Sequence, residues 1–134
     1  MSDDSRTAST ASAAASPTTV RGIRGATRVQ RDDPDSIRSA TRELLSELLS
    51  RNDLTRDSVI SAFFTATPDL VSEFPARAAR EMGWTDVAML CSTEIAVPGA
   101  MDRVVRVLLH VHMSVNRSIR HVYLNGAEEL RPDL

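Results

Sequence analysis

Residues 102–113 read Asp-Arg-Val-Val-Arg-Val-Leu-Leu-His-Val-His-Met. Side chains along a β-strand alternate between two faces. On that period Val105, Val107, Leu109, Val111 and Met113 share one face. Val104, Arg106, Leu108, His110 and His112 share the other. The first face is wholly apolar and must be covered by another layer. The second is mixed and carries an arginine between Val104 and Leu108. Valines and leucines flank Arg106, so at least part of it should be buried. A buried guanidinium is costly unless an anion answers it. That anion is either an acid of the chain itself or a bound ligand.

Working outward, residues 20–31 read as a second strand. Arg21, Ile23, Gly25 and Thr27 face one way, and Gly22, Arg24, Ala26 and Arg28 the other. Asp33 then caps a helix, with Pro34 at its first position and Asp35 in its first turn. Ile37, Ala40, Leu44, Leu45, Leu48 and Leu49 form its apolar stripe, which fades at Arg51-Asn52. Residues 57–67, with Val59, Ile60, Phe63 and Phe64, predict a buried strand ending at Pro68. Phe74-Pro75 opens a short helix over 76–82, stopped by Gly83. A strand over 87–93 follows, and Pro98-Gly99 turns the chain into the 102–113 strand. A loop over 114–118 leads to a last strand over 119–125, and residues 126–134 read as a turn and an irregular tail. The order β-α-β-α-β-β-β predicts an α+β fold. It is a mixed sheet of about five strands with helices packed on one face. A partner subunit is the natural cover for the other face.

The chain has 134 residues and 14.7 kDa, enough for one domain. Residues 1–19, MSDDSRTASTASAAASPTT, offer almost nothing to bury and predict a disordered tail. Asp3 and Asp4 stand where a secretory signal needs positive charge. The folded domain is expected over 20–134. The sixteen basic residues are all arginine, against eighteen acids and a net charge of -2. That balance argues against a nucleic-acid partner, which would require a basic surplus. No apolar run reaches membrane-spanning length. The single cysteine, Cys91, rules out an internal disulfide and fits a reducing, cytoplasmic compartment. The absence of lysine has two readings. One is codon bias; the other is chemical, since arginine alone grips carboxylates with a planar fork.

Other candidate residues follow from position. Arg24 lies between Gly22 and Gly25, which leave room for something to approach the backbone. Arg77 and Arg80 lie three apart and share a helix face. Cys91 reads as a buried, inert thiol, with no nucleophile signature around it. Glu94 could pair with an arginine or accept a hydroxyl. His110, His112 and His121 do not add up to a metal site, because no further ligand sits near them in sequence. Tyr123 reads as an aromatic core residue whose hydroxyl seeks a partner.

With these residues in place, the sequence resembles the chorismate mutases of the trimeric pseudo-α/β-barrel class. The matching stretches are Val20-Arg-Gly-Ile-Arg-Gly-Ala-Thr27, Thr65-Ala-Thr-Pro-Asp-Leu70, Phe74-Pro-Ala-Arg-Ala-Ala-Arg80, Gly83-Trp84 and Cys91 through Glu94. Val97-Pro-Gly99, Arg106-Val107, Ile119-Arg-His-Val-Tyr-Leu124 and Leu130-Arg-Pro-Asp-Leu134 continue the series in family order. The resemblance implies conversion of chorismate to prephenate, with no metal and no cofactor. It implies a homotrimer in which three sheets meet, with sites at the subunit interfaces. It assigns Arg106 to the ether oxygen and a carboxylate, and Arg24 to a carboxylate. Glu94 would take the ring hydroxyl, with Cys91 beside the ring, and Tyr123 would take a carboxylate. Phe74, Ala76 and Leu130 would form apolar walls, and the backbone at Met89 and Leu90 would contact substrate. Arg77, Arg80 and Arg131 would add positive potential at the mouth, with Phe74 and Arg80 donated by a neighbouring subunit. Two other classes stay open: a non-catalytic trimeric metabolite-binding module, and an imine/enamine deaminase of related architecture.

Overall fold

The computed structural model describes residues 17–130. The elements are β1 (Thr18–Arg28), α1 (Pro34–Arg51), β2 (Val59–Ala66), α2 (Ala76–Glu81), β3 (Ala88–Thr93), β4 (Val104–Ser114) and β5 (Val122–Leu124). Short 3-10 turns occupy Arg56–Ser58 and Ala127–Leu130. The five strands form one mixed sheet in the order β3-β2-β4-β1-β5. β4 runs antiparallel to β1 and β2, while β5 and β3 run parallel to β1 and β2 respectively. The expected element order and α+β architecture therefore hold.

The alternation read from 102–113 is the alternation observed. Val105, Val107, Leu109, Val111 and Met113 are all buried. The main core joins four of these to Ile23, Phe64 and the α1 leucines Leu44, Leu45 and Leu48. Gly25 allows the tight approach of α1 to β1: a Cβ there would lie 2.8 Å from Leu48 Cδ1 and 3.0 Å from Leu44 Cδ1. The α1 cap forms as its sequence requires, with the Ser36 N–H donating to Asp33 Oδ1 at 2.7 Å. α2 is only six residues long and ends at Gly83, whose φ is +89°. The Gly83 N–H donates to the Arg80 carbonyl, and the Trp84 N–H to the Ala79 carbonyl, each at 3.0 Å. These are the paired bonds of a Schellman C-cap, with Trp84 turned into the core behind it.

Four expectations need correction. β1 starts at Thr18, where Thr18 and Thr19 pair with Ser114 and Met113, so the sheet reaches into the stretch expected to be tail. The rest of that stretch, residues 1–16, lies outside the described residues. β2 is only half buried: Ile60 and Phe63 are exposed. A register irregularity between Val59 and Ser61 displaces Ile60, and Phe63 lies on the sheet face that carries no helix. The last strand is three residues rather than seven. Buried Asn52 explains this, because its side chain captures the backbone just before β5. Its Nδ2 donates to the Arg120 carbonyl at 2.9 Å, and its Oδ1 accepts the Arg120 N–H at 2.8 Å. Finally, the C-terminal stretch is not all irregular. Asn125 and Gly126, both at positive φ, turn the chain into the Ala127–Leu130 helical turn. That turn covers Ala26 and Val104 at one corner of the otherwise open face.

Candidate functional site

The strand registers place one row of residues across the whole open face. It runs Ser92 (β3), Thr65 (β2), Arg106 (β4), Ala26 (β1) and Tyr123 (β5). The row lies at or next to the carboxyl ends of β1, β2, β3 and β5, where loops can bring further groups. Arg24 is two residues before Ala26 on β1, opposite Leu108, and so lies diagonal to Arg106 on the same face. The apolar surroundings of that face are exposed, with Phe63 at 41% and Leu90 at 70%. Arg106 is accordingly less buried than its sequence neighbours suggest, with a side chain 44% exposed. No helix or strand among the described residues covers it.

Glu94, just past β3, answers the arginine. Arg106 Nε donates to Glu94 Oε2 at 2.9 Å, and Thr65 Oγ1 donates to the same oxygen at 2.7 Å. Glu94 is well packed, with a side chain 17% exposed, and its N–H donates to the Ala66 carbonyl at 2.9 Å. The acid thus grips the inner nitrogen of the guanidinium. Among the described residues, the two terminal nitrogens of Arg106 have no partner, and neither does Glu94 Oε1. Arg24 uses its backbone N–H on His121 Nδ1 at 3.0 Å, while its guanidinium pairs with no described residue. Among the described residues, therefore, two cationic groups and one carboxylate oxygen on this face have no partner. A dianion carrying a hydroxyl is the kind of ligand they fit. Tyr123 and Leu130 pack beside them against the Ala26–Val104–Ala127 cluster. Arg131 lies outside the described residues.

The remaining expected site residues are elsewhere in this chain. Cys91 pairs with Phe64, so its side chain points to the helix side of β3, away from Arg106. There it lines a cleft of about 400 Å3 with Phe74, Pro75 and Ser92. Phe74 is 66% exposed, and Arg77 and Arg80 are exposed on the same short helix. Ala76 is buried in the main core, and Met89, half-buried, packs against it. Cys91 is exposed rather than buried as expected. β3 is an edge strand, and among the described residues no strand lies outside it. Cys91→Ser is expected to keep at least about half of the wild-type turnover, since no thiolate attack is required of a group on that face. Steady-state kinetics of the folded variant check this.

The Phe74 loop is anchored by acids. Glu73 accepts from the Phe74 N–H at 3.0 Å and from Arg38 Nη1 of α1 at 2.7 Å. Asp32 Oδ1 accepts the Val71 and Ser72 N–H groups, both at 3.1 Å. The Phe74 N–H first, and then Arg38, hold the Glu73 carboxyl below its ordinary range. A carboxyl lowered in the folded state contributes stability at neutral pH and loses it as pH falls through the folded value. Acidification should therefore lower the melting temperature, and Glu73→Gln should flatten that slope. Thermal melts across the acid range read this out; an unchanged slope in the variant would remove Glu73 as the cause.

A cleft of about 640 Å3 lies between α1 and the strand ends, lined by Arg28, Glu43, Arg103 and Asn125 among others. Its polar groups answer one another. Arg28 pairs with Asp102, Arg103 Nη1 donates to the Val29 and Gln30 carbonyls, and Asn125 Nδ2 donates to Thr27 and Glu43. Its two cations are thus engaged within the chain, whereas the Arg24 guanidinium and the terminal nitrogens of Arg106 have no partner among the described residues. Among the described residues no three His, Cys, Asp or Glu side chains are grouped to hold a metal ion. His110 Nδ1 instead lies 3.1 Å from Ser61 Oγ. No helix among them is long and apolar enough to cross a membrane.

The fold and site together define an α+β chain that displays an arginine–glutamate pair on one sheet face. Comparison with known proteins gives its family. The family model described as chorismate mutase type I matches residues 20–134. Chorismate mutase AroH of Thermus thermophilus is 46% identical over 117 residues, covering 86% of this chain and 96% of that protein. Chorismate mutase AroH of Bacillus subtilis (strain 168) is 42% identical over 117 residues, covering 86% and 92%. The solved structure of a chorismate mutase from Clostridium thermocellum is 46% identical, with a TM-score of 0.77 over 81% of this chain and 98% of its own. The chain belongs to the chorismate mutase type I family.

Sequence reasoning missed Thr65 and Asn52 as organising residues. Both act through partners distant in the chain, so no local pattern marks them.

Proposed function

We propose that this chain converts chorismate to prephenate, in the cytoplasm, as a homotrimer whose active sites lie between subunits. The reaction is an intramolecular [3,3] rearrangement. The ether C–O bond breaks, a C–C bond forms, and no atom enters or leaves. It needs neither a nucleophile nor a proton transfer. What a protein can contribute is a compact conformer and cations aimed at the charge that develops as the ether bond breaks. The observation that carries this reading is the Glu94–Arg106 pair, in which the acid holds Nε and leaves the terminal nitrogens without a partner among the described residues.

In this reading those nitrogens bind the ether oxygen and one carboxylate of the substrate. Arg24 binds a carboxylate, Tyr123 hydrogen-bonds one, and Glu94 Oε1 accepts the ring hydroxyl. The two separated residue sets support the interfacial arrangement. Arg24, Glu94, Arg106, Tyr123 and Leu130 belong to the open face, whereas Phe74, Arg77, Arg80 and Cys91 lie around α2 and the outer side of edge strand β3. Setting the open face of one copy against the α2 edge of the next would unite them. It would also cover Phe63 and Leu90, whose exposure is costly in a lone subunit.

Incubating the purified protein with chorismate and following its absorbance tests the activity. Saturable loss with prephenate as product is expected, and decay at the buffer rate would sink the reading. Binding without turnover would favour a metabolite-binding module, and ammonia release from an imino acid a deaminase. Light scattering should give the mass of three chains.

A further inference from the structure

Two donors converge on a single oxygen of Glu94. Thr65 Oγ1 reaches Oε2 at 2.7 Å and Arg106 Nε reaches the same atom at 2.9 Å. Thr65 and Arg106 are direct register partners on β2 and β4, so the sheet fixes the spacing of both donors. An arginine and a carboxylate left to themselves favour a fork-to-fork contact through two parallel hydrogen bonds. In that contact Glu94 would occupy a terminal nitrogen of Arg106 as well as Nε. The Thr65 hydroxyl opposes this by holding Oε2 on its own side, and Oε1 stays clear of the guanidinium.

We propose that Thr65 is a positioning residue for the reaction: its hydroxyl keeps Glu94 on Nε alone, which preserves both terminal nitrogens of Arg106 and Oε1 of Glu94 for the substrate. This rests on the reading of Arg106 and Glu94 as substrate-binding groups. Thr65 itself touches no substrate in this account. Valine matches threonine in shape and keeps β-propensity, so Thr65→Val removes the hydroxyl with little disturbance to the strand.

The test combines kinetics with a spectroscopic readout. Thr65→Val is expected to lose about 10- to 100-fold in kcat, the scale of one charge-assisted hydrogen bond, while Thr65→Ser retains most of it. In a Glu94→Ala background, Thr65→Val should cost less than about twofold, because the group it positions is already gone. A Thr65→Val enzyme with near wild-type kcat overturns the proposal. So does an equal loss in both backgrounds, which would mark a general structural role. The Arg106 Nε–H resonance, assigned by its absence in Arg106→Lys, reports the same contact without any substrate. It should shift in Thr65→Val and return in Thr65→Ser; an unmoved resonance overturns the proposal. If wild-type protein fails to turn over chorismate, the substrate reading falls, and the resonance alone still decides whether Thr65 positions the pair.

Discussion

Arg106→Ala is expected to lower kcat for chorismate by at least about 1,000-fold. Losing one hydrogen-bond donor at a developing oxyanion costs about 100- to 1,000-fold, and here a formal charge is lost as well. The fold should survive. The side chain is 44% exposed and contacts a carboxylate that Thr65 continues to satisfy. Arg106→Lys retains the charge but has only one nitrogen, which must choose between Glu94 and the substrate. It should remain at least about 100-fold impaired. Turnover near wild type in the lysine variant would show that geometry at this position does not matter. A well-folded alanine variant with nearly intact kcat would remove Arg106 from the mechanism.

The second large effect is on stability. Trp84→Ala is expected to cost about 3–5 kcal/mol, the range for truncating a buried aromatic side chain. Trp84 is 1% exposed and belongs to the main core with Ala76, Ala79 and Phe64. Its N–H closes the C-cap of α2. A six-residue helix has little stability of its own, so it depends on such packing. The variant should melt more than about 10 °C lower. It should also lose the ordered presentation of Arg77 and Arg80 before the sheet unfolds. A melting temperature within about 2 °C of wild type would show that α2 is held by something else.

The parts of this fold that local chemistry dictates were legible in the sequence. The two faces of residues 102–113, the Asp33–Pro34 helix start and the Gly83 stop each follow from a few adjacent residues. Features set by distant partners were not. Nothing near residue 120 reveals that Asn52 will take the backbone bonds of Arg120 and shorten β5. Nothing near Phe63 reveals that its side of the sheet stays uncovered. The strand order β3-β2-β4-β1-β5 likewise depends on pairings between segments far apart in the chain. At the site, Arg106 stood out because a charge in an apolar strand demands an explanation. Glu94 was recognisable as a candidate partner. Thr65 was not, because a threonine in a strand needs no explanation until its hydroxyl is seen on Glu94. Arg24 shares the open face with Arg106, which the β1–β4 register reveals. Cys91 proved to face the other way, and only the β2–β3 register reveals this.

The lysine-free composition also gains meaning at particular residues. At Arg106 one nitrogen of three holds Glu94, and the proposed site would give the other two to the substrate, which one ammonium could not do. Arg103 spans the Val29 and Gln30 carbonyls at 3.0 and 2.6 Å, and Arg21 spans those of Ser114 and Arg117 at 3.2 and 2.6 Å. These are structural uses of arginine's several donors. They account for individual arginines, not for the absence of lysine throughout.

One measurement tests the account most directly: a crystal structure with a bicyclic dicarboxylate mimic of the rearrangement transition state. The mimic is expected on the open sheet face, with its ether oxygen and one carboxylate on the terminal nitrogens of Arg106 and its hydroxyl on Glu94 Oε1. Phe74 and Arg80 of an adjacent copy should close the same site. A mimic seated instead in the cleft beside Arg28 and Arg103, or bound on the sheet with no second copy against it, would contradict the account.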